Sequence, residues 1–194
     1  MTELGSKSLT FIAVMAALGN VLSFITTQLT PIAPNIPLGP VQVSLALDIS
    51  HLTTFIAALF GGPLIGGITG AIGGLVAAFE FGFSKGNFIT GFGLPLGKAL
   101  TGIAAGLLFK KYKVDSVVKA ASLTLISYIP EAILTLILFR YLLPPLMGVS
   151  MGLGTLIGFQ IIVKACVEMI TLGILLKYIT GNAGFKGFAE SYFR

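Results

Sequence analysis

The stretch FQIIVKACVEMITLGILL, Phe159 to Leu176, decides the fold class. It is apolar apart from Gln160, Lys164, Glu168 and Thr171. At about 1.5 Å per residue, with a few flanking residues, it can cross roughly 30 Å of hydrocarbon as a helix. Composition extends that reading to the whole chain. Of 194 residues, 55% are hydrophobic, only 10% are charged and 25 are glycine; the mean hydropathy is +0.99. These values lie outside the range of soluble domains and indicate an all-α membrane protein. The formal charge of +5 comes from lysines that are scattered or sit in one short cluster, Lys110, Lys111 and Lys113. Membrane topology explains such a pattern better than nucleic acid as a partner. Cys166 is the single cysteine, so neither a disulfide framework nor a Cys/His metal spacing exists. The run from Leu9 to about Leu29 is too long for the core of a signal peptide and reads as a retained first helix.

Working outward, the sequence predicts a six-transmembrane-helix bundle, with helices at about 8–29, 45–60, 63–80, 88–109, 116–142 and 152–178, forming a single integral membrane domain over 1–194. Between helices 1 and 2 lies TPIAPNIPLGPVQVS, whose prolines Pro31, Pro34, Pro37 and Pro40 favour extended or turn backbone and predict a long, stiff loop. Gly61-Gly62-Pro63 predicts a tight hairpin that makes helices 2 and 3 antiparallel neighbours. In helix 3, Gly62, Gly66, Gly70 and Gly74 recur every fourth residue, a stripe suited to close helix packing inside the bundle or to docking of a partner subunit. With the N-terminus cytoplasmic, the inner side holds Lys7, Lys110, Lys111, Lys113, Lys119, Lys177, Lys186 and Arg194, against Lys85 and Arg140 outside. Both termini are therefore expected inside and the proline-rich loop outside. No internal repeat supports an inverted-repeat transporter.

Two motif matches fail. LPLGKAL has Phe92 where a phosphate loop needs glycine, and Ala99 where it needs a hydroxyl. Gly82-Phe-Ser84-Lys-Gly86 fits a nucleophile elbow by letter, but that elbow belongs between a strand and a helix. His51, the only histidine, sits in Asp48-Ile-Ser-His51, which suits capping and anchoring at the outer end of helix 2 better than metal ligation. No metal, resident cofactor or enzymatic activity is expected.

Charges inside spans carry the functional reading. Lys98, Glu131, Lys164 and Glu168 each cost about 2.5–3.5 kcal/mol on insertion scales, which favours a pocket or a proton path over lipid exposure. Counting about 1.5 Å per residue from the outer ends places Lys98, Glu131, Gln160 and Lys164 in one layer roughly 12–18 Å deep, with Glu168 about 24 Å deep. Pro130 beside Glu131 frees a backbone carbonyl there. The alternative is that the four charges neutralise one another as Lys164–Glu168 and Lys98–Glu131, which weighs most for Glu168. Phe79, Phe81, Phe83, Phe88 and Phe92, interspersed with Glu80, Asn87 and Thr90, supply apolar walls with a few polar groups, as in a small-molecule pocket. Some of these rings would face lipid instead. A rival reading is an ion- or proton-coupled secondary transporter or small channel using Glu131, Lys164 and Glu168 as a relay.

The whole chain resembles the substrate-binding S components of energy-coupling factor (ECF) vitamin transporters in length, helix number, the proline-rich loop after helix 1 and the turn FGGPLIGG. The sharpest local match is Ala13-Val-Met-Ala-Ala17, where the family has a small-residue pair that docks on the transmembrane coupling protein. The resemblance implies a multi-pass subunit of the cell membrane that binds a small-molecule vitamin and works with that coupling protein and two ATPase subunits. It makes Ala13 and Ala17 docking residues, with Gly66 and Gly70 on the same face. Met1-Thr2 departs from the N-terminal histidine of nickel and cobalt members, and the chain lacks the tryptophans of thiamin-type members. The run VQVSLALDISHLTTFIAALFGGP, with Asp48, is most similar to riboflavin-type members. The expected substrate-binding set is Lys98, Glu131, Lys164, Gln160, Asn87, Asp48 and Phe92.

Overall fold

A computed structural model describes residues 5–38, 41–44 and 47–193. Pro40 and the expected start of helix 2 at Leu45 and Ala46 lie outside the described residues. The chain begins with α1 (Ser6–Leu29), which stops at Thr30 because Pro31 has no N–H to continue the ladder. A short antiparallel pair follows, β1 (Asn35–Leu38) and β2 (Val41–Ser44), with Pro37 opposite Gln42. Next come α2 (His51–Gly73), α3 (Leu75–Phe81), α4 (Phe88–Lys111), α5 (Val117–Ser127) and α6 (Ile129–Ile137). A single π turn, Leu138–Leu142, leads into α7 (Leu143–Met147), α8 (Met151–Gly181) and α9 (Ala183–Glu190).

Among the described residues, five stretches are long and apolar enough to cross a membrane: Ser6–Leu29, His51–Lys85, Phe88–Lys111, Val117–Met147 and Met151–Gly181. The expectation of six differs in the second of these, which takes in both expected helices 2 and 3. Gly62 interrupts it with φ 80° and ψ −171°, a backbone conformation that glycine tolerates. A Cβ added at Gly66 would lie 2.7 Å from that of Ala58, whereas eight residues of straight helix would separate them by about 12 Å. The two halves of α2 are thus folded against each other at Gly62. Helix 2 starts at His51 rather than 45, and the expected helix 3 is broken at Gly74. The expected helix 5 divides at Tyr128, ahead of Pro130, and α9 extends the chain beyond the expected last helix.

The glycine stripe of α2 packs inside the bundle. Cβ atoms at Gly66 and Gly70 would collide with the carbonyls of Gly102 and Lys98 on α4, so the missing side chains let two backbones touch. On the other side of the bundle, the Thr124 hydroxyl donates to the Met169 carbonyl at 2.8 Å, joining α5 to α8. The apolar core gathers at the end where α1 begins and α8 finishes, around Phe11, Phe55, Phe109, Leu172 and Leu176. There Phe11 stacks against Tyr192 and Phe193, which follow α9. Large apolar side chains such as Val21, Leu107, Val118 and Phe159 are exposed around the outside, as suits a multi-pass membrane protein whose solvent is hydrocarbon.

Candidate functional site

Bordering the apolar core at Tyr128 and Ala165, a cavity of about 340 Å³ opens between α1, α3, α4, α6 and α8. The α4 segment reaches it because Gly66 and Gly70 allow α2 and α4 to touch, which brings Lys98 beside the chain preceding α2. Lys98 is buried, 2% exposed. Its ammonium donates to the Asp48 carboxylate at 3.2 Å, to the Ser23 hydroxyl at 3.5 Å and to the Ser50 hydroxyl. The Asp48 carboxylate also accepts the Ser50 N–H at 2.9 Å. Burial opposes ionisation of Asp48, but the charges of Lys98 and His51 and the Ser50 hydrogen bonds outweigh it and hold the carboxyl well below its usual range. The Asp48 N–H donates to Glu168 Oε1 at 2.9 Å, and Lys164 Nζ lies 3.6 Å from that same oxygen. Asp48 is therefore tied to α4 by its side chain and to α8 by its backbone.

A second set centres on Glu131, which α6 presents one residue after Pro130. Glu131 Oε2 accepts the Thr101 hydroxyl at 2.5 Å, and His51 Nε2 lies 3.2 Å from it. His51 Nδ1 is buried and has no hydrogen-bond partner among the described residues. Phe81, Tyr128 and Phe139 supply the aromatic walls.

Lys98, Glu131, Lys164 and Asp48 all line the cavity, together with Glu168. Three other expected residues do not. Gln160 is buried in α8 away from the lining. Asn87 caps α4 by accepting the Thr90 N–H at 3.1 Å. Phe92 is 68% exposed and packs edge-on against Phe83. Of the five expected phenylalanines, only Phe81 lines the cavity. The expected Lys98–Glu131 pair is replaced by Lys98–Asp48 and His51–Glu131, because the chain entering α2 inserts between those side chains. Ala13 and Ala17 are exposed on α1, but Gly66 and Gly70 are buried against α4 and offer no docking surface.

His51, Ser50, Thr101 and Tyr128 were missed as site residues. The signal for the first two is the polar run Asp48-Ile-Ser-His-Leu-Thr-Thr54 at the mouth of an apolar helix, more polarity than a cap requires. Thr101 stands three residues after Lys98, on the same helical face.

Comparison with curated proteins and with solved structures gives no match. The family of the substrate-specific component of ECF transporters matches over residues 7–180, nearly the whole chain. With its apolar spans and a cavity walled by ionisable and aromatic groups, the chain belongs to the ECF transporter substrate-specific component family.

Proposed function

We propose that this substrate-binding subunit of an ECF importer captures a small heterocyclic vitamin with high affinity, and that riboflavin is the first compound to test. The carrying observation is the cavity of about 340 Å³, whose walls combine three aromatic rings with ionisable groups from four parts of the chain. Phe81, Tyr128 and Phe139 offer flat apolar surface to a ring system, while His51 and Lys164 offer polar contacts to its edge. The excess of Lys and Arg at one set of span ends supports cytoplasmic termini and a cavity opening to the outside of the cell membrane. ATP hydrolysis resides on separate subunits, with a transmembrane coupling protein between them and this chain. Ala13 and Ala17, exposed on α1, form the contact with that protein.

The test is the absorption and mass spectrum of the small molecule that co-purifies with the chain in mild detergent. A stoichiometric vitamin is expected, and a flavin spectrum identifies riboflavin. An empty protein that binds none of the common vitamins overturns the reading.

A further inference from the structure

We propose that Asn20 is a positioning residue for the cavity: its carboxamide takes the place of the backbone hydrogen bond lost where α2 breaks into α3, and so sets where Ala77 and Phe81 stand in the wall. The proposal rests on reading the cavity as the substrate site, and it adds a residue that acts there through α3.

In an unbroken helix the Val76 N–H would donate to the Ile72 carbonyl, one turn earlier. Gly74, with φ −90° and ψ −4°, ends α2 between them. The Val76 N–H donates instead to Asn20 Oδ1 at 2.9 Å, and Asn20 Nδ2 donates to the Ile72 carbonyl at 2.9 Å. A single carboxamide thus bridges the two backbone groups, a side chain inserted into the helical ladder. Its orientation is unambiguous, because a backbone N–H requires the amide oxygen and a backbone carbonyl requires the amide nitrogen. Close packing brings it there. A Cβ added at Gly19 would lie 3.5 Å from Gly73 Cα, so α1 and α2 approach backbone to backbone just before Asn20 and just before the break.

Location gives the contact its weight. Asn20 stands about 14 Å from the Leu29 end of α1 at about 1.5 Å per residue, near the middle of a hydrocarbon core about 30 Å thick. No water is present at that depth to replace the amide. A chain without it must either strand two backbone groups or straighten through Gly74 and remake the bond from Val76 to Ile72. Straightening moves α3, and α3 carries Ala77 and Phe81, both of which line the cavity.

The test compares Asn20→Leu, which removes both hydrogen bonds, with Asn20→Asp. A protonated carboxyl can accept from the Val76 N–H and donate to the Ile72 carbonyl as the carboxamide does, whereas a carboxylate can only accept. Riboflavin affinity is measured by equilibrium dialysis in mild detergent from acidic to alkaline pH, each value being divided by that of the unmodified chain to remove the titration of the cavity's own groups. Asn20→Leu should weaken binding about tenfold throughout, and Asn20→Asp should come within about twofold of the unmodified chain at the acid end. Full affinity in Asn20→Leu, or Asn20→Asp as weak as Asn20→Leu at every pH, overturns the proposal. Spin labels read the wall without substrate. They are placed at Ser84→Cys, in the turn after α3, and at Met151→Cys, at the start of α8, both exposed, in a Cys166→Ser chain that has no other cysteine. Their separation should shift in Asn20→Leu and return in Asn20→Asp at acidic pH; a separation that Asn20→Leu leaves unmoved overturns the proposal even where riboflavin binding is lost. If Asn20→Leu does not fold, Asn20→Ala removes the same two bonds and is read in the same way. If the unmodified chain binds no riboflavin, the choice of that vitamin fails, and the label separations still decide the role of Asn20.

Discussion

Replacing Lys98 with methionine preserves most of the volume of the stem while removing the ammonium that joins α1, α4 and the chain entering α2. The Asp48 carboxylate, 23% exposed at its side chain, would retain the Ser50 N–H but lose its cationic partner. Removing one partner of a fully buried pair costs about 3–5 kcal/mol, and the partial exposure of Asp48 brings the expected loss for Lys98→Met down to about 2–3 kcal/mol. Asp48→Asn strands the buried Lys98 ammonium among neutral acceptors and should cost about 2–4 kcal/mol. The double variant has no stranded charge, so it should be more stable than the sum of the single losses by about 1–3 kcal/mol. Denaturant or thermal unfolding of the purified protein in one detergent gives all three values. The carboxyl of Asp48 is held below its ordinary range, so its stabilising contribution is fully present above about pH 4 and is lost as pH falls further. Asp48→Asn should flatten that acid limb. Losses that add within about 0.5 kcal/mol would refute the coupling and leave the observed contact without energetic weight.

Lys164→Ala should weaken substrate binding at least tenfold, about 1.4 kcal/mol, with little change in unfolding, because the side chain is partly exposed; isothermal titration separates the two. Gly70→Ala drives a methyl group into the Lys98 carbonyl and should cost about 1–3 kcal/mol through overpacking. It should also lower affinity, since Lys98 moves with its backbone. Ala13→Trp, at an exposed position on α1, should abolish uptake by the assembled transporter while the isolated chain binds normally. Loss of binding as well would assign α1 another role.

What the sequence made legible follows from which forces are local. Hydropathy alone fixes membrane residence and most span positions, because each helix satisfies its own backbone whatever its neighbours do. Rise per residue sufficed to place Lys98, Glu131 and Lys164 in a common layer, and all three line one cavity. Partner choice was legible within α8, where Lys164 and Glu168 pair one turn apart as expected, but not between elements. Lys98 meets Asp48 across 50 positions and Glu131 meets His51 across 80, distances over which helix geometry says nothing. The partner of His51 was hidden for the same reason: anchoring at the mouth of helix 2 could be expected from the sequence, but not that α6 brings the Glu131 carboxylate to it. Gly66 and Gly70 fit internal packing and partner docking equally well by spacing, and only the position of α4 distinguishes the two.

The most direct test is uptake of radiolabelled riboflavin, or of the vitamin found to co-purify, into vesicles containing this chain alone or with its coupling protein and ATPase subunits. The account predicts that the chain alone binds the vitamin without accumulating it, and that accumulation appears only in the full assembly with ATP. Accumulation by the chain alone, driven by a proton or ion gradient, would contradict it and make Glu131, Lys164 and Glu168 a transport relay.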